Sequence, residues 1–295
     1  MLNTLIIALA SAFCVFSPAD SALRKQLNKE FSSVKGEFAL AFKDLQSGKE
    51  ILINERESFH AASTMKTPVM IEVYKQALSG KFSLTDSLTV HQTFKSIADS
   101  SEFVLDHSSD SDQELYKLMG SKLDIYNLLY RMIIQSSNLA TNMIIELVGA
   151  ENVNQAMRKI GANDIQVVRG VEDIKAYEKG LNNTTTAYDQ LLIYSALATG
   201  KITDAESSKA MINILLDQKF NDLIPAKLPQ DVKVAHKTGF ITGIQHDAGI
   251  VYLPDGRKYV LVLLSKGLED EKAGKEVMAR VSEMIYKEMC KCANE

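Results

Sequence analysis

The chain has 295 residues, 46% of them hydrophobic and 24% charged, and a formal net charge of −4. This is globular composition: it excludes a disordered, collagenous or disulfide-stapled chain, and it is long enough for one large domain or two intimate ones. Lys and Arg are spread along the sequence with no basic stripe interleaved with aromatics, which argues against nucleic acid as a partner.

The first element in chain order is an apolar run from Leu5 to Phe16, too short to span a bilayer. Ser17-Pro18-Ala19 and Ser21-Ala22 follow, small residues of the kind behind which a signal peptidase cuts, although no Lys or Arg precedes the run. We read residues 1–22 as a secretory signal ending near Ala19 to Ala22. The mature protein is then expected in the periplasm or medium, as a monomer with no stable membrane insertion. A lipid anchor on Cys14 is not expected, because Phe13 is bulky where such sites carry a small residue. Cys290 and Cys292 are too close to bridge each other without strain, and no second ligand pair turns them into a zinc site. The histidines (His60, His91, His107, His236 and His246) are scattered, so neither a metal nor any other cofactor is expected.

Glu37 to Asp44 is apolar-rich, Gln46-Ser47-Gly48 is a turn, and Ile51 to Asn54 pairs back, which predicts an N-terminal β-hairpin. Helical spacing then dominates: Pro68 to Ser79, Ile125 to Gln135, Thr141 to Val148, Val153 to Ile160, Thr186 to Thr199 and Asp204 to Gln218, with Gly80, Gly149, Gly161 and Gly200 as stops. Strand candidates return at Asp231 to His236, Ala248 to Leu253 and Tyr259 to Ser265, the last two joined by Pro254-Asp255-Gly256. A helix from about Asp270 to Cys290 closes the chain, with Val277, Val281, Met284, Ile285 and Met289 on one face. The pattern is an α/β (α+β) fold: strands from both ends in one antiparallel sheet, bracketing a helical middle.

Three motifs carry chemistry. Ser63-Thr64-Met65-Lys66 stands directly before an apolar helix, so one turn sets the two functional side chains side by side. A partly desolvated lysine beside other cations can be neutral often enough to take a serine proton, and the positive end of the helix favours developing negative charge. Ser136-Ser137-Asn138 follows a helix: a second hydroxyl could relay a proton to a leaving amine, and an amide could orient substrate. Lys237-Thr238-Gly239 lies on a late strand, where a cation and a hydroxyl suit a substrate carboxylate. The glycine allows close backbone approach, and the N–H of Phe240 with that of Ser63 could form an oxyanion hole. Each motif alone is weak, since the first could be a helix cap, the second a polar helix–helix turn and the third a strand end with a bulge.

Together, in this order and with β before, α between and β after, the motifs resemble those of the penicillin-binding proteins and class A β-lactamases, over about Leu23 to Glu295. The middle motif departs, with Ser137 where the lactamases usually carry Asp. The resemblance implies a discontinuous sheet domain, 23–62 and 206–295, interrupted by an all-α domain, 63–205, with the active site in the cleft between them. It also implies Ser63, Lys66 and Ser136 as catalytic residues, and Asn138, Lys237, Thr238, Gly239 and Phe240 as substrate-binding ones.

Relatives that hydrolyse the acyl-enzyme place a glutamate on a loop ahead of a Thr-Thr pair. Arg169-Gly170-Val171-Glu172-Asp173, ahead of Thr184-Thr185-Thr186, makes Glu172 the deacylation candidate, with Glu178 less well placed. The spacing differs: Glu172 lies three residues after Arg169 rather than two, Asp173 replaces a proline, and the asparagine that usually helps hold the water has no clear counterpart. The stretch Ser96 to Gln113 looks inserted and is expected on the cleft rim. His246-Asp247 lies where many relatives carry a carboxylate-gripping arginine, leaving Lys237 and Thr238 as anchor with help from Thr242, and His246 as the alternative anchor if Lys237 is not it. The implied activity is hydrolysis of β-lactams through an acyl-enzyme on Ser63. The alternatives are a penicillin-binding DD-peptidase that deacylates lactams slowly, and a non-catalytic exported sensor domain.

Overall fold

The computed structural model describes residues 18–291; the apolar run with Cys14, and Cys292, lie outside them. The chain enters with α1 (Pro18–Phe31) and a hairpin, β1 (Glu37–Asp44) and β2 (Glu50–Ile53). Short β3 (Phe59–His60) leads through a 3-10 turn, Ala62–Met65, into α2 (Lys66–Leu78). The strands β4 (Ser87–Thr89), β5 (Thr93–Lys95), β6 (Glu102–Val104) and β7 (Lys122–Asp124), with one-turn α3 (Gln113–Tyr116) before β7, precede α4 (Ile125–Ile134), α5 (Asn138–Val148) and α6 (Ala150–Lys159). Next come α7 (Ile174–Glu178), β8 (Thr184–Thr185), α8 (Ala187–Ala198) and α9 (Ala205–Leu216). The chain then runs through β9 (Lys233–Ile241), β10 (Ile244–Tyr252), β11 (Lys258–Lys266) and α10 (Glu271–Lys291).

Strands from both ends form one antiparallel sheet in the order β2-β1-β11-β10-β9. β1 zips along β11 from Glu37 opposite Lys266 to Asp44 opposite Tyr259. Because successive strand side chains point to opposite faces, the alternation sorts them into two cores. Leu40, Phe42, Leu261 and Leu263 pack under α1 and α10. Ala39, Ala41, Ala248 and Val262 join the core of the helical region. The alanines matter there: their small side chains leave room for α8, which lies against β1, β10 and β11.

Most of the long elements agree with the sequence reading apart from their bounds, but the 14-residue α1 was not foreseen. β9 runs through Lys237-Thr238-Gly239 instead of stopping at His236, and α5 begins at Asn138 rather than Thr141. The three-residue strands and α7 were not foreseen, since so short a run carries no readable period. The segment from Ser96 to Gln113 holds β6, half of the β5–β6 hairpin, and bonds the Glu172 loop; none of its residues lines the cavity that holds Ser63.

Candidate active site

Ser63 lies within the 3-10 turn rather than in the helix, and Lys66 opens α2. The turn is pinned at both sides. The Ala61 N–H donates to Asn183 O at 2.8 Å, and the Thr64 hydroxyl donates to Ala61 O at 2.6 Å. β9 runs alongside: a Cβ on Gly239 would lie 2.9 Å from the Ser63 nitrogen and 3.1 Å from that of Thr64. Glycine is therefore required by proximity, and Phe240, which follows it, lines the same cavity as Ser63.

Behind Ser63, two fully buried lysines converge on one hydroxyl. Lys66 Nζ donates to Ser136 O at 2.7 Å, Ser136 Oγ at 3.2 Å and Asn138 Oδ1 at 3.2 Å. Lys237 Nζ donates to the same Ser136 Oγ at 3.0 Å and to Thr238 O at 2.8 Å. Ser136 adopts φ 58°, a left-handed conformation unusual for a residue with a side chain, and in it both its carbonyl and its hydroxyl are bonded by Lys66. Burial disfavours the ammonium form of both lysines. Lys66 is pushed down to about 7, with Asp110 and Glu172 opposing the shift. Lys237 is lowered strongly by burial and by Lys66, with Asp247 opposing. One of the pair can therefore be a neutral amine near pH 7, which is what a proton acceptor beside a serine requires.

Asn138 spans the gap to the next carboxylate. Its Oδ1 faces Lys66, and its Nδ2 donates to Glu172 Oε1 at 2.9 Å. Glu172 has φ 62° and is half-buried. Its carboxylate also accepts from the Asp106 N–H at 3.2 Å and the Ser109 hydroxyl at 3.2 Å. The loop bearing it is closed at its neck by Asn183, whose Oδ1 accepts from the N–H groups of Val168 and Arg169. Arg169 Nε bonds Leu181 O at 3.0 Å across the same neck. Asn142, one turn beyond Asn138, grips Val171 through both backbone groups, at 2.7 Å and 3.0 Å. Ser63, Asn138, Glu172 and Phe240 thus line one cavity of about 290 Å³, whose lip includes the exposed Ile174, Tyr177 and Ile241.

Some expectations need correction. His246 is fully buried: its ring bonds His60 O at 2.9 Å and meets the Ser265 N–H at 3.2 Å. Asp247 is held by His236 and the Ile224 N–H. Neither can reach a substrate carboxylate. Asp173 is buried as the cap of α7 and accepts from Ser96 and Ile97, while Glu178 is exposed at that helix's far end. Thr242 lies exposed in the β9–β10 turn. Two site residues escaped the sequence reading. Asn142 could have been found, being four residues from Asn138 on the same helix face. Asp110 could not, because no spacing links it to the helix start it caps.

The comparisons with known proteins bear on the fold and the family. Extended-spectrum β-lactamase PER-1 of Pseudomonas aeruginosa is 22% identical over 294 residues, 96% of this chain and 92% of that protein. Among solved structures, the β-lactamase from Sphaerobacter thermophilus DSM 20745 is 25% identical with a TM-score of 0.75, over 92% of this chain and 97% of that one. PBP-A is 27% identical with a TM-score of 0.78 over the same shares, and a variant of it has been solved as an acyl-enzyme with penicillin G. Residues 22–289 match the β-lactamase enzyme family, and the chain belongs to it.

Proposed function

We propose that this member of the family is a serine β-lactamase that hydrolyses its substrate through an acyl-enzyme on Ser63, with Lys66 and Glu172 as separate bases for the two halves of the reaction. In acylation, neutral Lys66 takes the Ser63 proton while Oγ attacks the lactam carbonyl carbon. The oxyanion meets the N–H groups of Ser63 and Phe240. As the C–N bond breaks, the proton passes from Lys66 through the Ser136 hydroxyl to the leaving nitrogen, and Lys237 with Thr238 receives the substrate carboxylate. In deacylation, Glu172 takes a proton from water as the water oxygen attacks the ester carbonyl. As the tetrahedral intermediate collapses, that proton is returned to the leaving Ser63 Oγ, restoring the carboxylate and the hydroxyl.

One observation carries this reading: the Asn138 side chain touches Lys66 with one end and Glu172 with the other, in a cavity lined by Ser63. A proton acceptor for the serine and a carboxylate for the water are thereby held on either side of one amide. Export through residues 1–22, to act as a periplasmic monomer, belongs to the same proposal.

The test is intact-protein mass after brief exposure to penicillin, peptide mapping of the adduct, and turnover of a chromogenic cephalosporin. A transient adduct on Ser63 with turnover is expected, and Ser63→Ala should abolish both in a folded protein. An adduct elsewhere sinks the nucleophile assignment. A stable adduct without turnover identifies a slow-deacylating peptidase instead.

A further inference from the structure

The segment from Ser96 to Gln113 ends in two carboxylates buried beneath the start of α5. Asp112 is held by Arg131 of α4 through both oxygens, at 2.8 and 2.9 Å. Asp110, 3% exposed, is bonded differently. Its Oδ2 accepts from the backbone N–H of Asn138 at 3.0 Å, that of Leu139 at 2.9 Å and the Tyr116 hydroxyl at 3.2 Å, while Oδ1 accepts from the Asp112 N–H at 3.0 Å. These are neutral donors, so the full negative charge stays at the positive end of α5. The helix's own cap is Ser137, which accepts from the Ala140 N–H at 3.2 Å and brings no charge.

We propose that Asp110 is a positioning residue of the active site: by bonding the first N–H groups of α5 it holds the Asn138 amide in register between Lys66 and Glu172, and it sets a negative charge beside the buried lysine. The inference rests on the reading that neutral Lys66 takes the Ser63 proton. The geometry is that of a single strut. Asn138 is tied by its N–H to Asp110, and its side chain then reaches Lys66 on α2 and Glu172 on the loop. The charged and titratable groups around this strut are Lys237 from β9, Glu172, Tyr116 of α3, the Asp112–Arg131 pair and His107, whose ring is edge-on to Tyr116. Of the groups favouring the Lys66 ammonium, Asp110 stands first and Glu172 second, against the larger effect of burial.

The sign follows. Removing the Asp110 charge leaves burial less opposed, so Lys66 loses its proton at lower pH and the acid limb of acylation moves down. The experiment measures the acylation rate by stopped flow from pH 5 to 9, with adduct mass, in wild type and Asp110→Asn. In wild type the rate should rise through about pH 7. If wild type forms no Ser63 adduct or shows no such limb, the functional reading fails, independently of Asp110. In Asp110→Asn the amide oxygen still accepts the α5 N–H groups. The limb should move down by about one pH unit, with a plateau lower by roughly tenfold as Asn138 loosens. A limb that stays in place, whatever the plateau does, makes Asp110 a merely structural residue and overturns the proposal. Should Asp110→Asn not fold, Asp110→Ser removes the charge while keeping an oxygen acceptor for the α5 N–H groups. It is read by the same criterion: a limb moved down supports the proposal, and one that stays near pH 7 overturns it.

Discussion

Glu172 differs from the other carboxylates near the cleft in having solvent on one side and Asn138 on the other. Asp173, bonded by Ser96, Ile97 and Ala176, and Asp110, bonded by backbone N–H groups and Tyr116, are both buried, so neither is open to water. The partners of Glu172 include an exposed N–H and a serine hydroxyl that can rotate. A Gln at this position keeps the length and an acceptor for Asn138 Nδ2 but removes the basic site. Glu172→Gln should therefore acylate at close to the wild-type rate, while deacylation slows by about 10³-fold, within the range for loss of a general base. A burst of chromogenic product followed by near arrest, with the adduct visible by mass, is the expected result. Steady turnover at the wild-type rate would return Glu172 to the rank of a loop residue. Its place in the cavity with Ser63 was legible from its order in the sequence despite the altered spacing. Its left-handed backbone was not, since no pattern of side chains announces it.

The elements differ in how well the sequence reveals them. β1 and β11 carry continuous apolar runs buried on both faces and α4 a strong apolar stripe, and each is readable from its own residues. The cleft instead depends on contacts between segments with no period: the 3-10 turn, the strained Ser136 and the loop before β8. What shapes that loop is a close approach to α5. A Cβ on Gly170 would lie 2.4 Å from Asn142 Oδ1, the atom that accepts from the Val171 N–H. Gly170→Ala must therefore displace either the Asn142 side chain or the loop backbone, at a cost of about 1–3 kcal/mol typical of overpacking. Both routes weaken the grip on Val171 and move Glu172, whereas Ser63, Lys66 and Lys237 lie on other elements. The expected outcome is near-normal labelling by penicillin with deacylation slowed at least tenfold, read from the burst and steady phases of one progress curve. Loss of labelling and turnover in equal measure would show that the loop also positions the acylation groups.

For the molecule as a whole, the sheet and the nucleophile turn are joined by a buried histidine whose charge state links stability to pH. His246 Nε2 bonds His60 O, and its Nδ1 lies 2.9 Å from Gln245 O and 3.2 Å from the Ser265 nitrogen, so the ring ties β3 to β10 and β11. Burial lowers its pKa from 6.5 to about 4, outweighing the His60 and Gln245 carbonyls, which favour the charged ring. His60 is itself lowered by burial and by Arg169. Since the folded value lies below the unfolded one, the unfolded chain takes up the proton first as pH falls. The contribution is fully present above about 6.5 and drains away between there and about 4. At about 1.4 kcal/mol per pKa unit, His246 accounts for a loss of roughly 3 kcal/mol over that window. Urea denaturation at pH 7 and pH 4.5 should show this loss in wild type. In His246→Gln, which keeps a donor toward His60 O but cannot titrate, the protein should be weaker at pH 7 yet lose much less on acidification. Equal losses in the two proteins would move the acid sensitivity elsewhere, first to His60. Because β3 runs straight into the turn that carries Ser63, the same protonation should slow acylation below pH 6 beyond what Lys66 alone imposes, and the Gln variant separates the two.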